Sequence, residues 1–132
     1  MLLYPVLDLS AKTRSRTLFS DGFFLSKLQQ ERFVDLYLGG TGLAADDARV
    51  SPLKAAELSG LAPALVLTAG FDPLRDEGNE YAGALRSDGV TVDHRQFDAL
   101  THGFASRASC GGGSADATTA TISAIRAHLS RG

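Results

Sequence analysis

Cysteine is nearly absent from this chain: Cys110 is the only one in 132 residues. A single thiol excludes an internal disulfide framework and a cysteine-built zinc centre. Cys110 precedes Gly111-Gly112-Gly113 in what reads as a flexible loop. Nothing electropositive stands beside it to make it a nucleophile. Charge of one sign is also lacking. Thirteen Lys and Arg against fifteen Asp and Glu give a net charge of −2, which leaves no basic field for nucleic acid. The short cluster Lys12, Arg14, Arg16, mixed with Ser and Thr, reads as a solvated loop. No run approaches the roughly 18–20 apolar residues of a membrane span. The opening segment has no basic n-region, and Pro5 and Asp8 interrupt its apolar run, so it does not read as a signal peptide. A soluble, cytoplasmic protein is expected.

What is present is an ordinary globular composition, 44% hydrophobic and 21% charged, in a length suited to one domain or a piece of one. Residues 2–7 form an apolar run that reads as a buried strand, with Pro5 limiting its ladder. Residues 9–24 are polar and read as a loop. Ser26 followed by Gln29 is a capping-box pattern opening a helix to residue 38, with Phe33, Leu36 and Tyr37 as its buried stripe and Gly39-Gly40 as its stop. Ser51-Pro52-Leu53 starts a short helical turn. Residues 64–69, Ala-Leu-Val-Leu-Thr-Ala, are apolar on both faces, as expected of a central strand in a parallel sheet covered on each side.

Gly70-Phe71-Asp72-Pro73 breaks that strand. A helix over 74–87 follows, with Leu74, Tyr81, Ala82 and Leu85 on one face, acids in its first turn and Gly89 as its stop. Gly78 inside it implies close packing against the sheet. Residues 90–97 read as an edge strand guarded by Asp93, His94 and Arg95. A final amphipathic helix over 115–130 is marked by Ile122, Ile125 and Leu129. The alternation of strands and helices implies an α/β sandwich with right-handed crossovers and mainly parallel strands.

In such sheets functional residues gather beyond the carboxyl ends of the strands. Asp72 lies just past one strand, after Gly70-Phe71, and His102 five residues past the next, so both are expected at one rim. A carboxylate there can hold an imidazole in one tautomer and stabilise its protonated form, which is half of a Ser-His-Asp arrangement. The plain alternatives are that Asp72 is a helix N-cap and His102 a loop histidine packed on Phe104. His94 in the edge strand and His128 on the last helix read as structural or solvated.

The segment Pro-Ala-Leu-Val-Leu-Thr-Ala-Gly-Phe-Asp-Pro-Leu-Arg-Asp-Glu-Gly over 63–78 closely resembles the acid-bearing segment of bacterial esterases in the hormone-sensitive lipase family. Tyr81-Ala82, Leu85-Arg86, Gly89-Val90 and His102-Gly103-Phe104 continue the resemblance in order, and Tyr4-Pro5-Val6-Leu7-Asp8 and Ser51-Pro52-Leu53 precede it. The resemblance implies the C-terminal portion of an α/β-hydrolase fold: three mainly parallel strands with flanking helices, forming a partial domain over 1–132. It implies a carboxylesterase or lipase activity on short to medium acyl esters, with Asp72 as the triad acid and His102 as the general base. Asp76 and Glu77 are expected to serve the helix start. Neither metal nor cofactor is expected, and the partners are a small ester and a second copy of the chain.

The sequence departs from the family in lacking Gly-x-Ser-x-Gly and a His-Gly-Gly-Gly loop. Ser10, Ser15, Ser20, Ser106, Ser109 and Ser114 do not follow a buried strand into a tight turn, so none stands in for the nucleophile. The isolated chain is therefore expected to be inactive. Two other readings stay open. One is a non-catalytic α/β interaction module from a split or degenerate hydrolase gene. The other is a doubly wound binding domain with Asp72 toward a phosphoryl group or metal, although the Gly-rich phosphate loop it calls for is missing.

Overall fold

Ala64–Phe71, a strand with no face left for water, takes the middle position of the sheet in the computed structural model, which describes residues 1–130. This strand, β2, pairs in parallel with β1 (Leu2–Leu3) on one side and β3 (Val92–Thr101) on the other. Arg131 and Gly132, which end the domain expected over 1–132, lie outside the described residues. The α/β order and the parallel pairing agree with the sequence reading. Side chains of β2 alternate as a strand requires. Leu65, Leu67 and Ala69 face helix α4 (Gly112–Leu129) and the rim aromatic Phe104. Thr68 faces helix α3 (Arg75–Ser87) on the opposite side. A Cβ on Gly78 would sit 2.6 Å from the Thr68 methyl, so glycine is what lets α3 approach the sheet so closely.

β1 is much shorter than the apolar run over 2–7 suggested. Tyr4 N–H still donates to Leu67 carbonyl at 2.7 Å, but Tyr4 turns to a positive φ of 36° and Pro5 has no N–H to continue the ladder. Leu7 then enters the core beside Tyr81, Leu85 and Val90. β3, at the sheet edge as expected, runs on to Thr101 rather than ending at Phe97.

The stretch over 9–24 is not simply a loop. Thr13 caps a short helix, α1 (Arg14–Leu18), whose Ser15 is fully buried. Ser15 Oγ donates to the Pro73 carbonyl at 2.7 Å, and Ser15 N–H donates to Asp76 Oδ2 at 2.8 Å. Arg16, read from sequence as solvated, is held instead by a buried carboxylate. Its Nε donates to Glu77 Oε2 at 2.8 Å, and its other nitrogens reach Gln30 and the Asp8 carbonyl. Glu77 does not serve the helix start; its Oε1 accepts the N–H groups of Leu7, at 2.8 Å, and Asp8, at 3.3 Å. One fully buried side chain thus joins α3, the turn after β1 and α1. Burial pushes the Glu77 carboxyl above its usual range even with Arg16 beside it. Removing one partner of such a pair costs on the order of 3–5 kcal/mol, because it strands a buried charge.

Two expected apolar stripes are corrected. Helix α2 (Lys27–Leu38) has its Ser26–Gln29 capping box, but Phe33, Leu36 and Tyr37 are 59%, 62% and 63% exposed. The helix is anchored by buried Gln30 through Arg16, and these three apolar side chains stay largely open, lining a cleft with Val6, Leu9 and Val50. In α4, Ile125 packs on the core as expected, but Ile122 and Leu129 are exposed and the buried face is Ala117, Thr121 and Ala124. The small residues allow α4 to lie close on β2. This helix starts earlier than the expected residue 115, and Gly112 and Gly113 form its first turn rather than a flexible loop.

Asp8 supplies a pH signature. Burial opposes its ionisation, yet hydrogen bonds from Ser10 and the ammonium of Lys54 at 3.0 Å hold its carboxyl below the ordinary 3.8. A lowered folded-state value adds stability above the unfolded pKa, and that stability is lost as pH falls through the folded one. Asp8→Asn is therefore expected to be less stable than the parent at pH 7 by about 1–3 kcal/mol. The gap should close as pH drops below 3.8. Urea unfolding across the acid range checks this, and a gap independent of pH would contradict it.

Candidate active site

The rim of the sheet is set by how β2 and β3 end. Ala69 pairs with Phe97, an offset of 28 residues, whereas Phe71 pairs with Thr101, an offset of 30. Two extra residues are absorbed on β3 between these pairs, as in a β-bulge. Gly70 makes this possible, because a Cβ there would run into the Asp98 carbonyl oxygen. With the earlier offset, Asp72 would have stood opposite Leu100. With the later one it stands opposite His102.

β2 runs on to Phe71 rather than ending at residue 69, so Asp72 leaves it directly, and His102 leaves β3 directly rather than five residues beyond. His102 Nδ1 lies 2.9 Å from Asp72 Oδ2, with the Asp72 side chain 1% and the His102 side chain 23% exposed. An ionised carboxylate only accepts, so the contact selects the Nδ1–H form and leaves the lone pair on Nε2. The other carboxylate oxygen accepts Leu74 N–H at 2.8 Å. Asp72 is thus the N-cap-like turn residue and the partner of His102 at once. The next carbonyl, of Pro73, is fixed by Ser15 Oγ.

The imidazole is packed as well as hydrogen-bonded. The Tyr4 ring lies 4.6 Å from it, centroid to centroid, and meets Phe104 edge-on at 5.5 Å. Gly103 takes a left-handed φ of 72°, turning the chain so that Phe104 drops into the core with no exposure. Neither Tyr4 nor Ser15 was singled out from the sequence as part of this site. Pro5 was visible as a limit on the strand's ladder, but nothing in sequence shows that the Tyr4 ring packs against an imidazole 98 positions later.

The remaining candidates fall elsewhere. His94 Nε2 lies 3.2 Å from Thr68 Oγ1 on the α3 side of the sheet. Burial, with Arg86 adding to it, lowers its pKa against the pull of Asp93; this is a structural histidine, as expected. His128 lies near the end of α4. Cys110 is exposed at the end of a 3-10 turn, Phe104–Cys110. Among the described residues no group of three or more His, Cys, Asp or Glu could hold a metal ion, and no helix is long and apolar enough to cross a membrane. Ser15, the one fully buried serine near the rim, has its hydroxyl committed to Pro73.

The chain is similar to known proteins in sequence and fold. A family model described as alpha/beta hydrolase fold matches residues 1–106. The carboxylic ester hydrolase LipN of Mycobacterium tuberculosis is 55% identical over 130 residues, which cover 98% of this chain and 35% of that protein. An ethyl acetate hydrolase of Pseudomonas putida is 33% identical over 131 residues, covering 98% of this chain and 40% of the relative. Among solved structures, DphMB1 superposes with a TM-score of 0.86 at 33% identity, over 96% of this chain and 42% of that one. A thermostable esterase from Pseudomonas putida ECU1011 gives 0.73 at 42% identity, over 77% and 32%. The chain thus spans well under half the length of the relatives it matches.

Replacing Gly70 by alanine should force Asp98 of β3 away from β2 and cost about 1–3 kcal/mol, the usual penalty for overpacking. The Asp72–His102 hydrogen bond should go with it. Urea unfolding and imidazole NMR read the two effects; unchanged stability with the Nδ1 proton retained would show that the bulge does not depend on this glycine.

Proposed function

Because the chain belongs to the hormone-sensitive-lipase-like α/β-hydrolases, we propose that it supplies the acid, Asp72, and the base, His102, of a Ser-His-Asp triad in a carboxylesterase. The proposed substrates are short to medium acyl esters, and residues 1–132 form part of one hydrolase domain. The observation that supports this most directly is the 2.9 Å contact between a buried carboxylate and the Nδ1 of an imidazole that stays 23% exposed.

In this reading the Nε2 lone pair of His102 accepts the proton of a serine hydroxyl as the serine attacks the ester carbonyl. The imidazolium that forms is stabilised by Asp72 through Nδ1–H, and Nε2–H then protonates the departing alcohol. Water attacks the acyl-serine in the second half-reaction, again giving its proton to Nε2. Asp72 stays ionised throughout, and its Leu74 N–H bond keeps the carboxylate plane fixed while the charge on the ring changes. Serine and oxyanion donors come from the rest of the enzyme, so the chain by itself is expected to be inactive.

The test is a chimera in which this chain replaces the matching third of the mycobacterial carboxylic ester hydrolase. The chimera should hydrolyse p-nitrophenyl acetate, with kcat lowered by about 10⁴ in Asp72→Asn and at least as far in His102→Ala. The chain alone should match its own His102→Ala variant. A chimera that is active and indifferent to both substitutions would remove Asp72 and His102 from the chemistry.

We also propose that the chain associates with itself. β1 and β3 each have one strand neighbour among the described residues, and Phe33, Leu36 and Tyr37 project an apolar face. Light scattering at high concentration should give a mass above that of one chain, and a strictly monomeric species would count against it.

A further inference from the structure

Arg107 takes no part in the chemistry just described, yet it reaches back over its own turn to the segment that carries His102. One of its terminal nitrogens, Nη2, donates to the His102 carbonyl at 2.6 Å and to Thr101 Oγ1 at 2.6 Å. The same guanidinium lies 4.0 Å from the centroid of the Phe24 ring, which comes from the segment between α1 and α2. Its other terminal nitrogen lies so close over Gly103 that a Cβ there would be 3.3 Å from it. The 3-10 turn over Phe104–Cys110 is kinked at Arg107, with φ −109° and ψ 17°, where the chain departs from helix. Phe24 itself holds a φ of 70° while 66% exposed. A non-glycine residue in the left-handed region is uncommon, and an exposed phenylalanine gains little from burial. The guanidinium contact is what the ring does gain.

We propose that Arg107, backed by Phe24, is a positioning residue that fixes the backbone of His102 and so the aim of its imidazole. The proposal rests on His102 being the base. The ring is restrained at Nδ1 by Asp72 and by the tilted ring of Tyr4 beside it, but neither fixes the peptide from which it hangs. The three residues Thr101, His102 and Gly103 leave a strand edge and turn through a left-handed glycine. Without a donor on the His102 carbonyl this turn is free to pivot, and a carboxylate–imidazole bond at 2.9 Å is shortened or broken by such a pivot. Charge-assisted donors are the stronger class of hydrogen bond. Here one cation serves a carbonyl and a hydroxyl on consecutive residues, so it acts as a clamp across the turn. The Phe24 contact extends the clamp to the segment between α1 and α2, so that segment is coupled to the aim of His102 although it makes no bond to the imidazole.

The test follows the Nδ1 proton of His102 by NMR in the full chain, measuring its exchange with water in the parent, Asp72→Asn, Arg107→Met, Arg107→Lys and Phe24→Leu. The parent should show a protected imidazole proton that Asp72→Asn abolishes. Arg107→Met should speed its exchange by roughly tenfold, with the β2 amides unchanged. Arg107→Lys, which keeps a donor but loses the flat stack, should recover part of the protection, and Phe24→Leu should lose roughly two- to fivefold. A parent without any Asp72-dependent proton would overturn both the acid–base pairing and this inference. A parent proton that Arg107→Met leaves equally protected would overturn the clamp alone. So would an acceleration shared by the β2 amides, since that is general destabilisation rather than positioning.

Discussion

The two-residue change of offset between β2 and β3 is the constraint on which the rim depends. Parallel strands paired at a constant offset would carry Asp72 and His102 to different levels, and no side-chain rotation recovers two residues of rise, about 6–7 Å. The chain absorbs the difference at one place, beside Gly70, where the absence of a side chain lets the Asp98 carbonyl come in close. Everything downstream inherits that geometry. His102 emerges level with Asp72, Gly103 turns the chain inward, and Phe104 plugs the core beneath the pair. Phe104 is completely buried between Phe97, Tyr4 and Ala69, so the apolar core and the polar rim are secured by consecutive residues.

The segment after β2 holds three carboxylates, and burial assigns each a different task. Asp72 precedes the helix and turns back to the imidazole. Asp76 faces α1 and receives Ser15 N–H. Glu77, fully buried, receives two main-chain N–H groups and the Arg16 guanidinium. The last two hold the connection after β1 against α3, so that Ser15 meets the Pro73 carbonyl beside Asp72. The Asp72 turn is thus braced from both sides, by its own Leu74 N–H within the turn and by a helix from 58 positions upstream. An ionised Asp72 at 1% exposure needs such donors, since a buried charge without them would cost several kcal/mol.

Patterns local to a segment were legible in the sequence, and matches between distant segments were not. The all-apolar run over 64–69 identified the central strand, the Ser26–Gln29 spacing identified a capped helix, and Gly78 identified a close helix–sheet approach. Each of these is a property of a few neighbouring residues. Gly70 was visible too, but as a breaker; an isolated glycine inside a strand pattern also signals close backbone approach, and that reading would have lengthened both strands. The burial of Ser15, Arg16 and Glu77 had no signal, since a polar residue that is buried because a partner waits for it looks like a surface residue. Phe33, Leu36 and Tyr37 failed in the opposite sense. Their helical spacing describes a face made for burial, but whether anything covers a face depends on the rest of the assembly.

The division between what is braced and what is open bears on the proposed chemistry. The bonds that hold Asp72 and His102 in place come from within this chain: Leu74 N–H, Ser15, Arg107 and the ring of Tyr4. The Asp72–His102 pair is therefore ordered by this chain alone, which is the preorganisation the proposed chemistry calls for. The uncovered apolar face belongs to α2, a helix tied to the rest mainly through Gln30 and Arg16. The pair thus draws its rigidity from the sheet and α3. Adaptation to whatever lies against the chain falls instead to α2 and the segment before it, which meets the rim through Phe24 on Arg107 and through Phe19 and Phe23 against Phe71.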